Sequence, residues 1–177
     1  MALKPTIYKF NISLSDLNRD YYDTLHLTVA QHPSESHERM MTRVLAFCLN
    51  AQEALIFTKG LSEPDAPDIW LHTLDDQLAL WIDIGEPAVD RIKKATRIAK
   101  EVKVYSFNSK SDVWWQQNQN KFAMLSASVI QFDSQDVCAL ANLVARTMTC
   151  SITITGDSAF VATESGECEV NWRSLQA

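Results

Sequence analysis

The sequence predicts one mixed α/β domain over residues 1–177, with helices and strands alternating through its middle and strands crowding both ends. Three observations carry that expectation. The segments from Ile7 to Leu14 and from Tyr21 to Val29 alternate apolar and polar residues with period two, and polar residues separate them, which predicts an N-terminal hairpin. Residues Val89, Ile92, Ala95 and Ala99 recur at helical spacing, as do Val137, Leu140, Ala141 and Val144. Three strands, from Met148 to Thr155, Ala159 to Thr163 and Cys168 to Trp172, are punctuated by Gly156-Asp157 and Ser165-Gly166. Strands need partners to be stable, so the two β-rich ends are expected to share a second sheet beside the α/β core.

Between the ends, a helix is predicted from His32-Pro33-Ser34 to about Asn50. Ser34 is its expected N-cap, and Glu35 and Glu38 suit the positive end of the helix dipole. Ala54 to Phe57 reads as a short strand or the helix's end, and Lys59 to Pro67 as a loop. Two strands follow, from Asp68 to Thr73 and from Gln77 to Ile84, around the turn residues Asp75-Asp76. Pro87 stops the second. Then come a helix from Ala88 to Lys100, a strand from Val102 to Phe107, a helix from Ser111 to Met124, a strand from Ser126 to Phe132 and a helix from Ser134 to Arg146.

Composition narrows the function. Hydrophobic residues make up 46% and charged residues 21% of 177 residues, ordinary for a globular protein with a sizeable core. The net charge of −6 counts against broad attraction to nucleic-acid backbone, although Arg91, Lys93, Lys94, Arg97, Lys100 and Lys103 form one basic cluster. Cys48, Cys138, Cys150 and Cys168 show neither a Cys-x-x-Cys pair nor a zinc spacing, and they read as free thiols in a reducing compartment. No apolar run is long enough for a membrane helix and no leader is evident, so a cytoplasmic protein without a membrane partner is expected.

The acidic hairpin is where chemistry is expected. Centred on Asp75-Asp76, its register places Asp68 opposite Asp83, with Cβ atoms roughly 5 Å apart. Facing carboxylates are tolerated when one is protonated, when both are solvated, or when a cation lies between them. Magnesium or manganese suits an oxygen-only site of that kind. Trp114-Trp115-Gln116-Gln117 has the composition of a base-stacking element, but tryptophans at helical spacing are expected to anchor core.

The order helix, strands, helix, strand, with Pro67-Asp68 opening one strand and Asp83 closing the next, is similar to the PD-(D/E)XK nuclease superfamily. The whole chain resembles the small bacterial YaeQ family through Glu38-Arg39-Met40-Met41, Pro67-Asp68-Ile69-Trp70, Leu80-Trp81-Ile82-Asp83-Ile84-Gly85, Lys94-Ala95, Val104-Tyr105 and Asp112-Val113-Trp114-Trp115. The resemblance implies a nuclease-like core in which Asp68 and Asp83 bind a metal that polarises a phosphodiester and activates water. Glu38 and Glu86 are the candidate outer carboxylates. The superfamily's lysine position holds Gly85, so Lys94, with Lys93 beside it, is the candidate replacement from the following helix. The expectation is a magnesium-dependent nuclease acting on nucleic acid. The alternative is a catalytically degenerate nuclease fold serving as a binding or regulatory module, which Gly85 and the negative net charge favour.

Overall fold

The computed structural model describes residues 4–177. In chain order its elements are β1 (Thr6–Asp16), β2 (Tyr21–Gln31), α1 (His37–Leu49), β3 (Leu55–Phe57), β4 (Ile69–His72), β5 (Leu78–Ile84), α2 (Val89–Ile98), β6 (Glu101–Ser106), α3 (Ser111–Phe122), β7 (Ser128–Phe132), α4 (Ser134–Ala141), β8 (Thr147–Thr155), β9 (Ser158–Thr163) and β10 (Gly166–Gln176). They form two compact units. One is built from the chain up to Leu49 and from Asp133–Trp172, the other from Asn50–Phe132 and Arg173–Ala177. Among the described residues, no helix is long and apolar enough to cross a membrane.

In the first unit the terminal strands do share a sheet. The hairpin β1–β2 pairs without interruption from Thr6↔Gln31 to Asp16↔Tyr21, and β8 lies parallel to β1 on its other side. Strands β9 and β10 continue the sheet as antiparallel neighbours. The period-two pattern has its expected cause: Tyr8, Phe10, Ile12 and Leu14 point into the core, and the intervening residues of β1 do not. The pattern ends on buried Asp16, whose Oδ1 accepts the backbone N–H of Asn18 and Arg19 and whose Oδ2 pairs with Arg19 Nε at 2.7 Å. That bonding folds the turn that starts β2.

Helix α1 begins at His37, later than Ser34 predicts. Ser34 is engaged by its neighbour: its N–H and hydroxyl lie 3.0 and 2.7 Å from His32 Nδ1. Ser36 caps instead, its Oγ accepting the Arg39 N–H at 3.1 Å. The helix is buried all round from Met40 to Cys48, not along one stripe, and it packs against α4. Its buried Arg43 is matched by buried Glu35. Arg43 Nη2 meets Oε1 at 2.6 Å and Nε meets Oε2 at 2.9 Å, while Arg39 Nη1 reaches Oε2 at 2.6 Å. Glu35 thus serves as a counter-ion across two helical turns, which its predicted dipole role does not describe. Helix α4 is capped by Asp133, whose side chain accepts from Gln135 and Asp136 N–H, and it stops at Ala141 instead of Arg146.

Cys48 and Cys150 are buried in this unit, whereas Cys138 is exposed. Burial drives the Cys48 thiol far above its ordinary range and pushes Cys150 up to about 11. Iodoacetamide at about pH 8 is therefore expected to alkylate Cys138 in the native protein and to reach Cys48 and Cys150 only after unfolding, read by peptide mass spectrometry. Rapid native labelling of Cys48 would contradict this packing.

The second unit has the sheet order β3-β4-β5-β6-β7, antiparallel up to β5 and parallel from β5 to β7. Ala54 to Phe57 is resolved as the strand β3. In β4–β5, Ile69↔Ile82, Trp70↔Trp81 and Leu71↔Leu80 keep the predicted register, and a bulge follows between Leu71 and His72. One face carries Trp81, Val102, Val104 and Val129 into a cluster with Ile92 and Ala95 of α2 and Phe122 of α3. Trp114 and Trp115 pack against it, their rings 5.4 and 5.6 Å from Phe122. The Trp114 indole N–H donates to the Pro87 carbonyl at 3.1 Å, so that ring is a core anchor with its polar edge satisfied. On the opposite face of β6, Lys103 donates to Asn50 Oδ1 at 2.7 Å, and Asn50 Nδ2 to the Tyr105 hydroxyl at 2.8 Å.

Candidate functional site

The hairpin brings Asp68 and Asp83 near each other at its mouth: the β4–β5 ladder ends at Ile69↔Ile82, and there the Asp68 N–H donates to the Ile82 carbonyl at 3.0 Å, one residue off the ladder's register. Ladder pairing formally starts at Ile69, so Asp68 sits at the mouth of the strand. The two aspartates are 5% and 2% exposed, which excludes a solvated rim. Two carboxylates buried side by side need donors or a cation.

Their partners come from the protein. Asp68 Oδ2 accepts the Ile84 N–H at 2.9 Å. Its Oδ1 faces Gly60, where an added Cβ would stand only 3.6 Å away, in a turn whose φ of +60° itself favours glycine. Asp83 is held by Arg91 from the first turn of α2. Arg91 Nε meets Oδ2 at 2.8 Å and Nη2 meets Oδ1 at 3.1 Å, a bidentate fork. The same guanidinium donates to the Ala66 carbonyl at 2.8 Å, donates through Nη1 to the Pro64 carbonyl, and lies 5.6 Å from the centre of the Trp81 ring. One cation thereby ties β5, α2 and the 59–67 loop together. Burial pushes the Asp83 carboxyl above its ordinary range, the bond and charge of Arg91 pull it down, and the neighbouring Asp68 charge adds to the rise.

The remaining sequence candidates fall elsewhere. Gly85, at φ +112°, has nothing within 4 Å of where a Cβ would stand, so no lysine enters the space it leaves. Lys93 and Lys94 are exposed on α2; the residue α2 sends to Asp83 is Arg91. Glu86 follows Gly85 at the end of β5, half-buried, with its Oε2 shielded from solvent. Glu38 belongs to the first unit, half-exposed in the first turn of α1, where its carbonyl accepts the Thr42 hydroxyl at 2.8 Å.

A hard divalent cation takes its ligands from carboxylate lone pairs directed at one point. Here both Asp83 oxygens already accept from Arg91 and Asp68 accepts from the backbone, so in this arrangement the pair does not fit magnesium or manganese. No group of three His, Cys, Asp or Glu residues able to hold a metal occurs among the described residues.

This architecture defines a mixed α/β protein with a buried acidic pair closed by arginine at the mouth of a hairpin. Residues 1–172 match the family described as YaeQ protein, and the chain belongs to that family. It is similar to the uncharacterised protein YaeQ of Escherichia coli (strain K12), at 40% identity over 178 residues, covering 99% of this chain and 98% of that one. The Salmonella typhi YaeQ protein is 39% identical with the same coverage. The crystal structure of YaeQ from Xanthomonas axonopodis pv. citri superposes with a TM-score of 0.94 at 34% identity, covering 98% of this chain and 99% of that one. YaeQ from Pseudomonas syringae gives 0.92 at 31% identity, covering 98% and 97%.

Proposed function

We propose that this chain is a nuclease-like scaffold of the PD-(D/E)XK kind that works as a binding module and does not hydrolyse phosphodiesters. The carrying observation is the bidentate grip of Arg91 on Asp83. In the nuclease pattern this place holds a metal that lowers the pKa of an attacking water. A guanidinium spent on a buried carboxylate and two loop carbonyls supplies fixed charge but activates no water. Gly85 in the lysine position supports the same reading. The surface offered to a partner is the outer side of α2, where Lys93, Lys94 and Arg97 are exposed and make no ion pair among the described residues. Three unpaired cations on one short helix in an acidic chain suit a phosphate-bearing polyanion such as nucleic acid.

The second reading, a magnesium-dependent nuclease, is favoured by the two buried carboxylates side by side. It requires Arg91 to leave Asp83, with Asp68, Asp83 and Glu86 then turning to a metal and Lys94 steadying the developing charge.

One experiment separates the two. Labelled single- and double-stranded oligonucleotides are incubated with the protein with and without magnesium or manganese, and anisotropy and product length are read from the same samples. Binding that weakens with salt and with Lys93→Glu/Lys94→Glu, and no product above the Asp68→Ala background, is the expected result. Metal-dependent product absent from Asp68→Ala restores the nuclease, and absence of binding removes nucleic acid as the partner.

A further inference from the structure

We infer that the free edge of β2 is a docking edge for β2 of a second copy of this chain, paired antiparallel about a two-fold axis at His26. The orientation of its backbone follows from bonds made by its neighbours. Lys9 N–H donates to the Arg146 carbonyl at 2.8 Å and the Ile7 carbonyl accepts from Arg146 Nε at 2.9 Å, so both point from β1 away from β2. Their register partners are Thr28 and Ala30. In an antiparallel ladder such partners point outward together. Ala30 accordingly offers its carbonyl to Arg43 Nη2, at 2.9 Å, and not to β1. The even-numbered residues of β2, from Tyr22 to Ala30, thus direct N–H and C=O away from the sheet, and their side chains are exposed.

Native edges are normally blunted by lysine, proline, bulges or shortness. This one is eleven residues long, in unbroken register with β1, and its sequence YYDTLHLTVAQ has no lysine, proline or glycine. Among the described residues only its flanks are occupied: Asp23 Oδ1 accepts the Thr24 N–H at 2.8 Å, and Arg43 takes the Ala30 carbonyl. Between them lie His26 and Thr28.

Charge selects the occupant. The chain carries −6, which opposes self-association in general. Strand β2 contains a single formal charge, Asp23, and the two-fold register sets it opposite Val29 of the other copy. Thr24 then meets Thr28, Leu25 meets Leu27 and His26 meets itself, so no like charges are opposed and like side chains pair. A single strand pair is a small contact beside the roughly 1,200–2,000 Å² of a standard interface, so the dimer is weak and concentration-dependent.

Sedimentation velocity from about 5 to about 300 µM tests this on the full chain. The wild type is expected to move from monomer to dimer across that range. Thr24→Lys/Thr28→Lys sets lysine against lysine across the axis and should weaken association at least tenfold, whereas Thr24→Lys/Thr28→Glu sets lysine against glutamate and should restore it. Both threonines are exposed, and circular dichroism confirms that each variant is folded. A wild type that stays monomeric throughout overturns the proposal. So does a Lys/Lys variant that dimerises like wild type, or a folded Lys/Glu variant that fails to recover.

Discussion

Glu35→Ala is expected to destabilise the protein by about 3–5 kcal/mol, the cost of leaving one member of a buried ion pair without its partner. The side chains of Glu35 and Arg43 are 1% and 5% exposed, so water cannot replace the lost carboxylate. Arg43 keeps the Ala30 carbonyl as an acceptor but loses the Glu35 carboxylate, and Arg39 loses that carboxylate as well. For a chain of this size the loss lowers Tm by about 10 °C, measured by calorimetry. The charge origin is separable from the packing origin. Glu35→Ala/Arg43→Met removes both ions and should recover a large part of the deficit, since apolar groups of similar volume often replace a buried pair at little cost. If the double variant is as unstable as the sum of the singles, Glu35 acts through packing and the ion-pair account fails.

The pattern Glu35, Arg39, Arg43 is legible as spacing, one residue per helical turn, but its burial is not. Sequence periodicity reports which face of a helix is apolar, and α1 is enclosed on every side, so its polar residues are core residues with partners. The elements themselves were legible wherever the signal is local. The hairpins follow from period-two alternation and turn residues; in β4–β5 the register set by Asp75-Asp76 holds from Leu71↔Leu80 to Ile69↔Ile82, while between the bulge and the turn His72 pairs with Leu78, one residue off. Non-local pairing was not. The predicted helix from Ser134 to Arg146 carries Val144 in its apolar stripe, yet α4 ends at Ala141, and Arg146 delivers its carbonyl to Lys9 and its guanidinium to Ile7 at the start of the β1–β8 ladder. Tertiary hydrogen bonds there outweigh a weak helical preference.

The candidate site divides the same way. Asp68 and Asp83 both lie at the mouth of the β4–β5 hairpin, a placement the hairpin's sequence encodes. Which cation meets them depends on the rotation of α2 about its axis, and Arg91, Lys93 and Lys94 all flank the same apolar stripe. Side-chain chemistry was the usable signal. A buried carboxylate flanked by loop carbonyls calls for several donors in one plane, which a guanidinium has and an ammonium lacks.

Arg91→Met is expected to cost about 3 kcal/mol, the lower end of the range for a broken buried pair, because a third of the Arg91 side chain is exposed and water takes over part of its role. The loss is electrostatic and so depends on pH. With Arg91 in place, burial already raises the Asp83 carboxyl above its ordinary range. A folded value above the unfolded one contributes stability below the unfolded pKa, and that contribution is lost as pH rises through the folded pKa. Removing Arg91 removes the bond and the charge that hold the folded value down, so it climbs further. The deficit of Arg91→Met against wild type is therefore largest near neutrality and shrinks as pH falls into the acid range where Asp83 takes up a proton. Urea unfolding of both proteins across that range measures it, and Asp83→Asn/Arg91→Met should be more stable at neutral pH than Arg91→Met alone. A deficit that is constant with pH, or unrelieved by Asp83→Asn, would mean that Arg91 holds the 59–67 loop and Trp81 by packing alone. The acidic pair would then be stabilised by other means, and Arg91 would not serve as its counter-ion.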